Sequence, residues 1–224
     1  MINISEKLQN CSLFSDISRE NIAHLLGCLG AKIRTFDNGQ TIFSEGESAD
    51  EIGIVISGGV RIIKIDYFGN RSILYEAHMN ETFCEGFACS TLDELPASVI
   101  AEEETTVLLI NASRVLKTCD AGCGFHHKLI YNLMKELANK TVLYHERIDV
   151  TARRTTKEKL MAYLHTEAKR KKSLSFDIPF DRQELADYLE VERSGLSSEI
   201  GKLVKKGVIK TKKNHFEILS ANIS

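Results

Sequence analysis

The sequence predicts an α+β protein in which a domain of short strands precedes one long helix and a smaller domain of helices and strands. Between residues 31 and 118, β-branched runs of roughly five residues alternate with glycine, asparagine, aspartate and serine, which is typical of β-sandwiches and small barrels. From about Gly124 the apolar residues recur at helical spacing instead. The final third of the chain combines amphipathic segments with short strands, which indicates a second core.

The strand prediction rests on runs rich in valine, isoleucine, threonine and phenylalanine. Glycine or a polar residue closes most of these runs, and DYFGN has the composition of a hairpin turn. The predicted strands are KIRTF, QTIFSEG, EIGIVISGG, VRIIKI, RSILYE, ASVIA and TTVLLI.

The composition is that of a globular chain with two modest cores. Of 224 residues, 43% are hydrophobic and 27% are charged, and no tract is biased. The N-terminus has no basic segment followed by an apolar run, and stretches such as IGIVI are too short to span a bilayer. We therefore expect a soluble, cytoplasmic protein without a membrane partner.

A heptad pattern runs along the predicted long helix. Its positions alternate in steps of four and three, which is the spacing of a coiled-coil seam. The seam consists of Ile130, Met134, Leu137, Thr141, Tyr144 and Ile148. We predict that it pairs two copies of the chain, and packing against the helix's own domain is the alternative. The polar Thr141 is interpreted as a position that keeps this packing adjustable.

Charge is distributed unevenly along the chain. Residues 151–224 contain 16 basic and 10 acidic residues, a net charge of +6, whereas residues 1–150 have a net charge of −8. The basic end is suited to nucleic acid, and the acidic end would be repelled by it.

The basic end contains a predicted helix-turn-helix. Asp181 followed by Glu184 predicts a capping box at the start of one helix, and Glu190-Val191-Glu192 interrupts the helical pattern. The segment GVIKTKKNHFEIL predicts a strand, a turn and a strand, as in a wing. The buried face of the second helix is predicted to be Leu196, Ile200, Leu203 and Val204.

We predict that this second helix reads DNA in the major groove while the wing contacts phosphates. Arg193 is the first choice for a guanine contact, because a guanidinium can bond both O6 and N7. The alternative is a winged module that binds protein, with the lysines as a solvated surface. The predicted DNA-binding residues are Arg182, Gln183, Arg193, Ser194, Ser197, Ser198, Lys202, Lys212 and Lys213.

Taken together, these motifs resemble the cyclic-AMP receptor protein and fumarate-nitrate-reduction regulator (Crp/Fnr) family of bacterial transcription factors over nearly the whole chain. The resemblance is carried by LFSDIS, GQTIFSEGESADEIGIVISGGVRI, FCEGFACS, the long helix after residue 124 and RQELADYLEVERSGLSSEIGKL. It implies a jelly-roll-like sensor domain, a dimerisation helix and a C-terminal winged helix-turn-helix. It also implies a palindromic operator and a contact with RNA polymerase.

The resemblance further implies an effector pocket in residues 83–97, which we call the effector cassette. In members that bind cyclic nucleotide, a Gly-Glu pair and an arginine-hydroxyl pair before alanine bind the ligand. This chain lacks that arginine, and a buried phosphate without its charged partner loses about 2–5 kcal/mol, so we expect an effector other than cyclic AMP. Arg71 as a displaced phosphate contact is the alternative. The predicted pocket residues are Cys84, Glu85, Gly86, Phe87, Leu95, Pro96 and Ala97.

Other ways of sensing remain open, and no cofactor is assigned. The six cysteines are irregularly spaced, unlike a secreted disulfide scaffold, and are expected to be thiols. Cys119 and Cys123, followed closely by His126, are candidate metal ligands or a redox pair, with incidental thiols as the simpler interpretation. Cys84 is a candidate redox thiol and His78 a candidate haem ligand. A regulator controlled by its concentration alone is a further alternative.

We do not expect an enzyme. The sequence shows no Ser-His-Asp constellation and no Gly-rich phosphate loop, and one histidine in the strand region cannot complete a two-histidine iron site. We predict a sensor domain over residues 1–123, a dimerisation helix over 124–151 and a DNA-binding domain over 152–224. The predicted function is a homodimeric, sequence-specific transcription regulator governed by a small effector or a redox signal.

Overall fold

A computed structural model of the protein describes residues 4–69, 71–117 and 124–219. The chain divides into two compact units, Met1–Lys140 and Thr141–Ser224. The predicted α+β class is confirmed, since two sheets and several helices form the first unit while helices and a small sheet form the second. The domain boundaries after residues 123 and 151 stay predictions. None of the helices in the described ranges is long and apolar enough to cross a bilayer.

Two antiparallel four-stranded sheets form the centre of the first unit. Its strands are β1 (Lys32–Phe36), β2 (Thr41–Phe43), β3 (Glu51–Ser57), β4 (Gly59–Ile65), β5 (Arg71–His78), β6 (Thr82–Phe83), β7 (Ser98–Ala101) and β8 (Thr105–Asn111). One sheet has the order β1-β8-β3-β6 and the other β2-β7-β4-β5. Each predicted strand segment is present, and residues 66–69 of the predicted turn DYFGN lie between β4 and β5.

The central strand β3 is buried on both of its faces. Val55 faces the core between the two sheets, whereas Ile52 and Ile54 face a second apolar cluster formed with the helices. This explains why EIGIVIS reads as a continuous apolar run rather than an alternating one. The helices of the first unit are α1 (Ile4–Leu8), α2 (Arg19–Cys28), α3 (Glu85–Ala88) and α4 (Ala112–Leu116).

Gly53 makes room for the aromatic ring at the start of the effector cassette. A Cβ at this position would lie 2.0 Å from Cζ of Phe83, whose side chain is fully buried. The two residues are directly paired between β3 and β6. Glycine therefore lets Phe83 lie across β3, and this fixes where the chain enters α3.

The long helix α5 (Gly124–Thr151) is present as predicted. In its early turns, Leu129 and Leu133 belong to the helical core of the first unit, and Asn132 donates hydrogen bonds of 3.0 and 2.9 Å to two backbone carbonyls before α2. Near its end, Val150 belongs to the core of the second unit.

The second unit is a winged helix-turn-helix. Its elements are α6 (Thr156–Lys171), β9 (Ser175–Asp177), α7 (Arg182–Leu189), α8 (Arg193–Lys205), β10 (Ile209–Lys212) and β11 (His215–Ile218), with sheet order β10-β11-β9. The capping box predicted for Asp181 and Glu184 is confirmed at the start of α7. The predicted burial of Val204 is wrong: the residue is 42% exposed, because Leu203 already completes the buried face of α8.

The C-terminus of α6 offers a stability test. Lys172 is exposed and has a φ of 50°, in the left-handed region that favours glycine. Lys172→Gly is therefore expected to raise the free energy of unfolding by about 1 kcal/mol. The matched change Lys169→Gly, at an exposed position inside the helix, is expected to lower it by about 1 kcal/mol. Denaturant unfolding measures both changes, and a lower stability of Lys172→Gly would contradict the strain argument.

Candidate DNA-binding surface and effector cassette

The turn between α7 and α8 sets the direction of the second helix. Glu190 has a φ of 54°, and its amide bonds back to the carbonyls of the last turn of α7. Glu192 is extended, with a ψ of 131°, and α8 begins at the next residue. Leu189 and Leu196 are fully buried and hold the two helices together. The helix-turn-helix predicted from the sequence is therefore present.

One polar face of α8 is open to solvent. Ser194, Ser197 and Ser198 are exposed, while Leu196 and Ile200 point into the core. The exposed Arg193 stands at the start of the helix, beside these short side chains. Base edges in a DNA groove could thus approach the backbone of α8 closely, while the longer side chain of Arg193 reaches further into the groove.

Three exposed lysines lie further along the chain, one on α8 itself and two on the wing. Lys202 is exposed one turn after Ser198 and pairs with Glu199 on the same helix. The hairpin of β10 and β11 exposes Lys212 and Lys213 at its turn, where Lys213 has a φ of 54°. The buried Phe216 ties this hairpin to the core. The wing therefore presents its ammonium groups on a fixed support.

Arg182 and Gln183, also predicted to bind DNA, likewise make contacts within the second unit. Arg182 donates from Nη2 to Oγ1 of Thr211 at 3.0 Å, and its guanidinium lies 4.9 Å from the centre of the Phe216 ring. Burial lowers the pKa of this guanidinium from its ordinary value. Arg182 thus links α7 to the wing. Gln183 remains exposed and donates to Asp187 at 2.8 Å.

The sequence analysis missed a second basic group beside α8. Arg154 and Lys157, at the start of α6, line a cleft of about 650 Å³ together with Ser198 and Lys202. Both are exposed cations that could meet a phosphate beside α8. Their charges are visible in TARRTTKEK, but only the folded chain shows that they lie beside α8.

The second residue of the effector cassette has an unfavourable backbone conformation. Cys84 has a φ of 63°, where a side chain costs roughly 1–2 kcal/mol. It is 4% exposed and packs in the core between the two sheets. Glu85 starts α3 and is 3% exposed, whereas Gly86 lies at the surface and Phe87 is half-buried. The predicted pocket residues thus divide between the core and the surface.

The other end of the cassette is apolar. Leu95 and Ala97 are buried in the core between the sheets, and Pro96 is half-buried. The amide of Leu95 donates to the carbonyl of Glu47 at 2.8 Å, and its carbonyl accepts from Gly46 at 2.9 Å. The segment is therefore fixed to the loop after β2 and supplies apolar surface rather than charge.

A polar cluster that the sequence analysis missed joins the cassette to α5. Nζ of Lys140 lies 2.6 Å from Oε1 of Glu85, 2.6 Å from the carbonyl oxygen of Thr82 and 4.2 Å from the centre of the Tyr75 ring. The Thr82 hydroxyl donates to Oε2 of Glu136 at 2.6 Å. Burial raises the pKa of the Glu136 carboxyl, while Thr82 and Lys140 oppose this effect.

The described cysteines differ in their expected reactivity. Burial raises the pKa of Cys84 and of Cys11 to about 12 and that of Cys89 to about 11, so these three stay protonated near neutral pH. Cys28 is exposed. Among these four, iodoacetamide is expected to label Cys28 first and Cys84 slower by on the order of tenfold or more.

Peptide mass spectrometry over a time course measures this labelling, and urea-unfolded protein is the control in which all four cysteines react. Rapid labelling of Cys84 in the native protein would contradict the argument from burial. It would instead favour this residue as a redox thiol.

An apolar stripe on α5 is exposed within the single chain. Met134 is 64% and Ile148 59% exposed, and Thr141 and Tyr144 are also exposed between them. Leu137 differs from these seam positions, because it packs against the helical core of the first unit. Further residues that are half-buried or exposed near the stripe are Ile130, Tyr131 and Val142.

The remaining sensor candidates do not converge on one described site. Cys119 and Cys123 lie outside the described residues. His126 is buried, with Nε2 2.9 Å from a backbone carbonyl of α4, and His78 is exposed at the end of β5. In the ranges 4–69, 71–117 and 124–219, no three histidine, cysteine or acidic side chains group together as metal ligands.

Two family models match the chain. A cyclic nucleotide-binding domain matches residues 33–121, and a Crp-like helix-turn-helix domain matches residues 158–222. The chain is therefore of the class that joins a cyclic nucleotide-binding domain to a DNA-binding domain. Together the two matches support its membership of the Crp/Fnr family, whose members are DNA-binding transcription regulators and not enzymes.

Solved structures of such regulators share the fold. CLP, a c-di-GMP responsive global regulator from Xanthomonas campestris, aligns with a TM-score of 0.72 and 16% identity over 91% of this chain and 100% of that chain. FixK2 from Bradyrhizobium japonicum aligns with a TM-score of 0.62 and 18% identity over 87% and 99%. A CRP-family regulator from Thermus thermophilus gives 0.59 and 18% over 84% and 92%. A comparison with curated sequences found no match.

Proposed function

We propose that the protein is a homodimeric transcription regulator that binds a palindromic operator through α8. Its DNA binding is regulated by a small effector other than cyclic AMP or by a redox signal. RNA polymerase is its expected protein partner. The observation that carries this proposal is the open polar face of α8, with exposed basic groups beside it at the start of α6 and further exposed lysines on the wing.

This arrangement favours DNA over a protein partner. The short side chains Ser194, Ser197 and Ser198 permit close approach to base edges, and Arg193 can supply a bidentate contact to guanine. Exposed cations beside a groove-reading helix and on its wing can contact the phosphates that border a major groove. The net charge of +6 over residues 151–224 supports the same conclusion.

The exposed stripe on α5 supports the homodimer. Met134 and Ile148 lie two heptads apart on the helix and on the same side of it. A second copy of the same helix offers a matching stripe. The resulting helix pair has two-fold symmetry, as a palindromic DNA site does. The exposure of this stripe in the single chain favours pairing over the alternative of packing within one domain.

The cassette supports an effector other than cyclic AMP. Its Leu95 and Ala97 are buried apolar residues, and Pro96 has no N–H to offer a phosphate. Lys140 brings a positive charge to the cassette, but this charge is already paired with Glu85. CLP is described as responsive to c-di-GMP, which indicates that the fold serves effectors other than cyclic AMP.

Two alternative modes of regulation, cyclic-nucleotide binding through Arg71 and regulation without an effector, can each be tested directly. A displaced phosphate contact by Arg71, which is exposed at the start of β5, predicts that calorimetry detects binding of cyclic AMP or cyclic GMP. A regulator without any effector predicts full operator affinity that neither reductant nor cell extract changes. Absorption spectra and metal content of protein purified without oxygen, before and after exposure to air, test the metal and redox forms of the proposal.

Selection of bound sequences from random DNA tests the proposed function itself. We expect enrichment of a palindrome whose half-sites are about one helical turn apart, bound by two protein chains. Footprinting and the stoichiometry of the complex measure this. Failure to enrich any sequence, or equal affinity for selected and scrambled DNA, would overturn the proposal.

A further inference from the structure

We propose that Lys140 acts as an internal ligand of the effector cassette and holds it against α5 in the absence of any effector. We refer to Lys140, Thr82 and Glu85 as the Lys140 clamp. The inference rests on the proposed function and deepens it, because it concerns how the same cassette is regulated.

The Lys140 ammonium makes several contacts with the cassette and the strands beside it. It lies 2.6 Å from Oε1 of Glu85, 2.6 Å from the carbonyl oxygen of Thr82 and 3.2 Å from the hydroxyl of Thr82. The Tyr75 ring covers it at 4.2 Å from the ring centre. An ammonium group donates three hydrogen bonds, so these contacts use its capacity in full.

Burial makes the pair of Lys140 and Glu85 a strong constraint rather than a surface contact. Their side chains are 12% and 4% exposed. An exposed pair contributes little to stability, whereas removal of one partner of a buried pair leaves an uncompensated charge. Oε2 of Glu85 is buried and accepts no hydrogen bond from the described residues. The Glu85 carboxylate therefore depends on Lys140 for its charge compensation.

A second contact reinforces the clamp one helical turn earlier on α5. Glu136 accepts a hydrogen bond from the Thr82 hydroxyl at 2.6 Å, and its other oxygen bonds to the Ser12 hydroxyl. Residues four apart on a helix lie on the same face, so Glu136 and Lys140 reach Thr82 from neighbouring turns. The short strand β6 and the start of α3 are thus held to α5 by two side chains.

The consequence is that the cassette already has a charged partner before an effector arrives. Any effector that bonds to the Glu85 carboxylate must compete with the Lys140 ammonium for it. An effector that displaces Lys140 releases the cassette from the helix whose exposed stripe is proposed to form the dimer. Lys140 is therefore a positioning residue, and its effect on DNA binding is indirect.

Hydrogen exchange of the full-length protein, followed by mass spectrometry, tests the clamp without knowledge of the effector. In Lys140→Met, the amides of residues 82–89 are expected to exchange faster by on the order of tenfold or more. Glu85→Gln is expected to loosen the same segment. The double variant removes both charges together and is expected to exchange more slowly than Lys140→Met. Lys135→Met, at an exposed lysine on the same helix, is the control and is expected to leave exchange unchanged.

Affinity for the selected operator tests the regulatory role. Lys140→Met and Glu85→Gln are each expected to change it by on the order of fivefold or more relative to Lys135→Met. Wild-type exchange rates in both clamp variants would overturn the clamp. Faster exchange with unchanged operator affinity would overturn the regulatory role of the clamp. The clamp would then only stabilise the fold of the first unit. If the wild-type protein selects no DNA, the proposed function fails, while the exchange experiment still decides whether the clamp exists.

Discussion

Ile148→Glu is expected to convert the protein from a dimer to a monomer and to lower its affinity for a palindromic operator by on the order of 100-fold. Ile148 is 59% exposed in the single chain, so the change does not disturb the core of either unit. In a symmetric helix pair the new carboxylate occurs twice near the two-fold axis, where like charges and lost apolar burial both oppose association.

The large effect on DNA follows from bivalency. When two reading helices are linked, the second half-site is bound at a high effective concentration, and a monomer loses this advantage. Light scattering and sedimentation give the mass, and titration with operator DNA gives the affinity. Asn139→Glu introduces the same charge at an exposed position on another side of α5 and is expected to stay dimeric. A dimeric Ile148→Glu would contradict the proposed seam.

Arg193→Ala is expected to reduce affinity for the selected operator by about 10- to 100-fold, which corresponds to the roughly 1–3 kcal/mol of a bidentate guanine contact. Its affinity for scrambled DNA is expected to change much less. The reason is the position of Arg193 at the exposed start of α8, where the neighbouring serines allow the helix to enter the groove.

Lys212→Ala is the matched comparison at the wing. This variant is expected to bind selected and scrambled DNA more weakly by a similar factor. It is also expected to reduce the slope of log affinity against log salt concentration by about 1. Titrations at several salt concentrations with both DNA sequences separate the two behaviours. Unchanged operator affinity in Arg193→Ala, together with weaker binding by Lys212→Ala, would contradict the division between base reading and phosphate contact.

The elements with local signals were predictable. The strands follow from β-branched runs between turn residues, and the start of α7 follows from a capping box whose partners are three residues apart. The long helix follows from its apolar period. Periodicity fixes which residues share a face, but it does not tell what covers that face. Leu137 shows this limit, because it fits the heptad and yet packs in its own unit.

The predicted site residues show the same limit in another form. Sequence pattern indicated Arg182 for DNA binding, and the folded chain holds its guanidinium against Thr211 and Phe216. The same pattern gave no reason to connect Arg154 with α8, although both line one cleft. The sequence shows that a residue is charged, but only the folded chain shows which groups its side chain contacts.

The order of the domains, the α+β class and the concentration of positive charge after residue 150 follow from the amino-acid sequence alone. These properties depend on backbone hydrogen bonding, side-chain period and composition, which act between residues close along the chain. The pairing of Lys140 with Glu85 and Thr82 was decided only by tertiary structure, through the packing of α5 on the strands of the first unit. Such contacts join residues more than fifty positions apart in the chain, so short-range sequence patterns do not predict them.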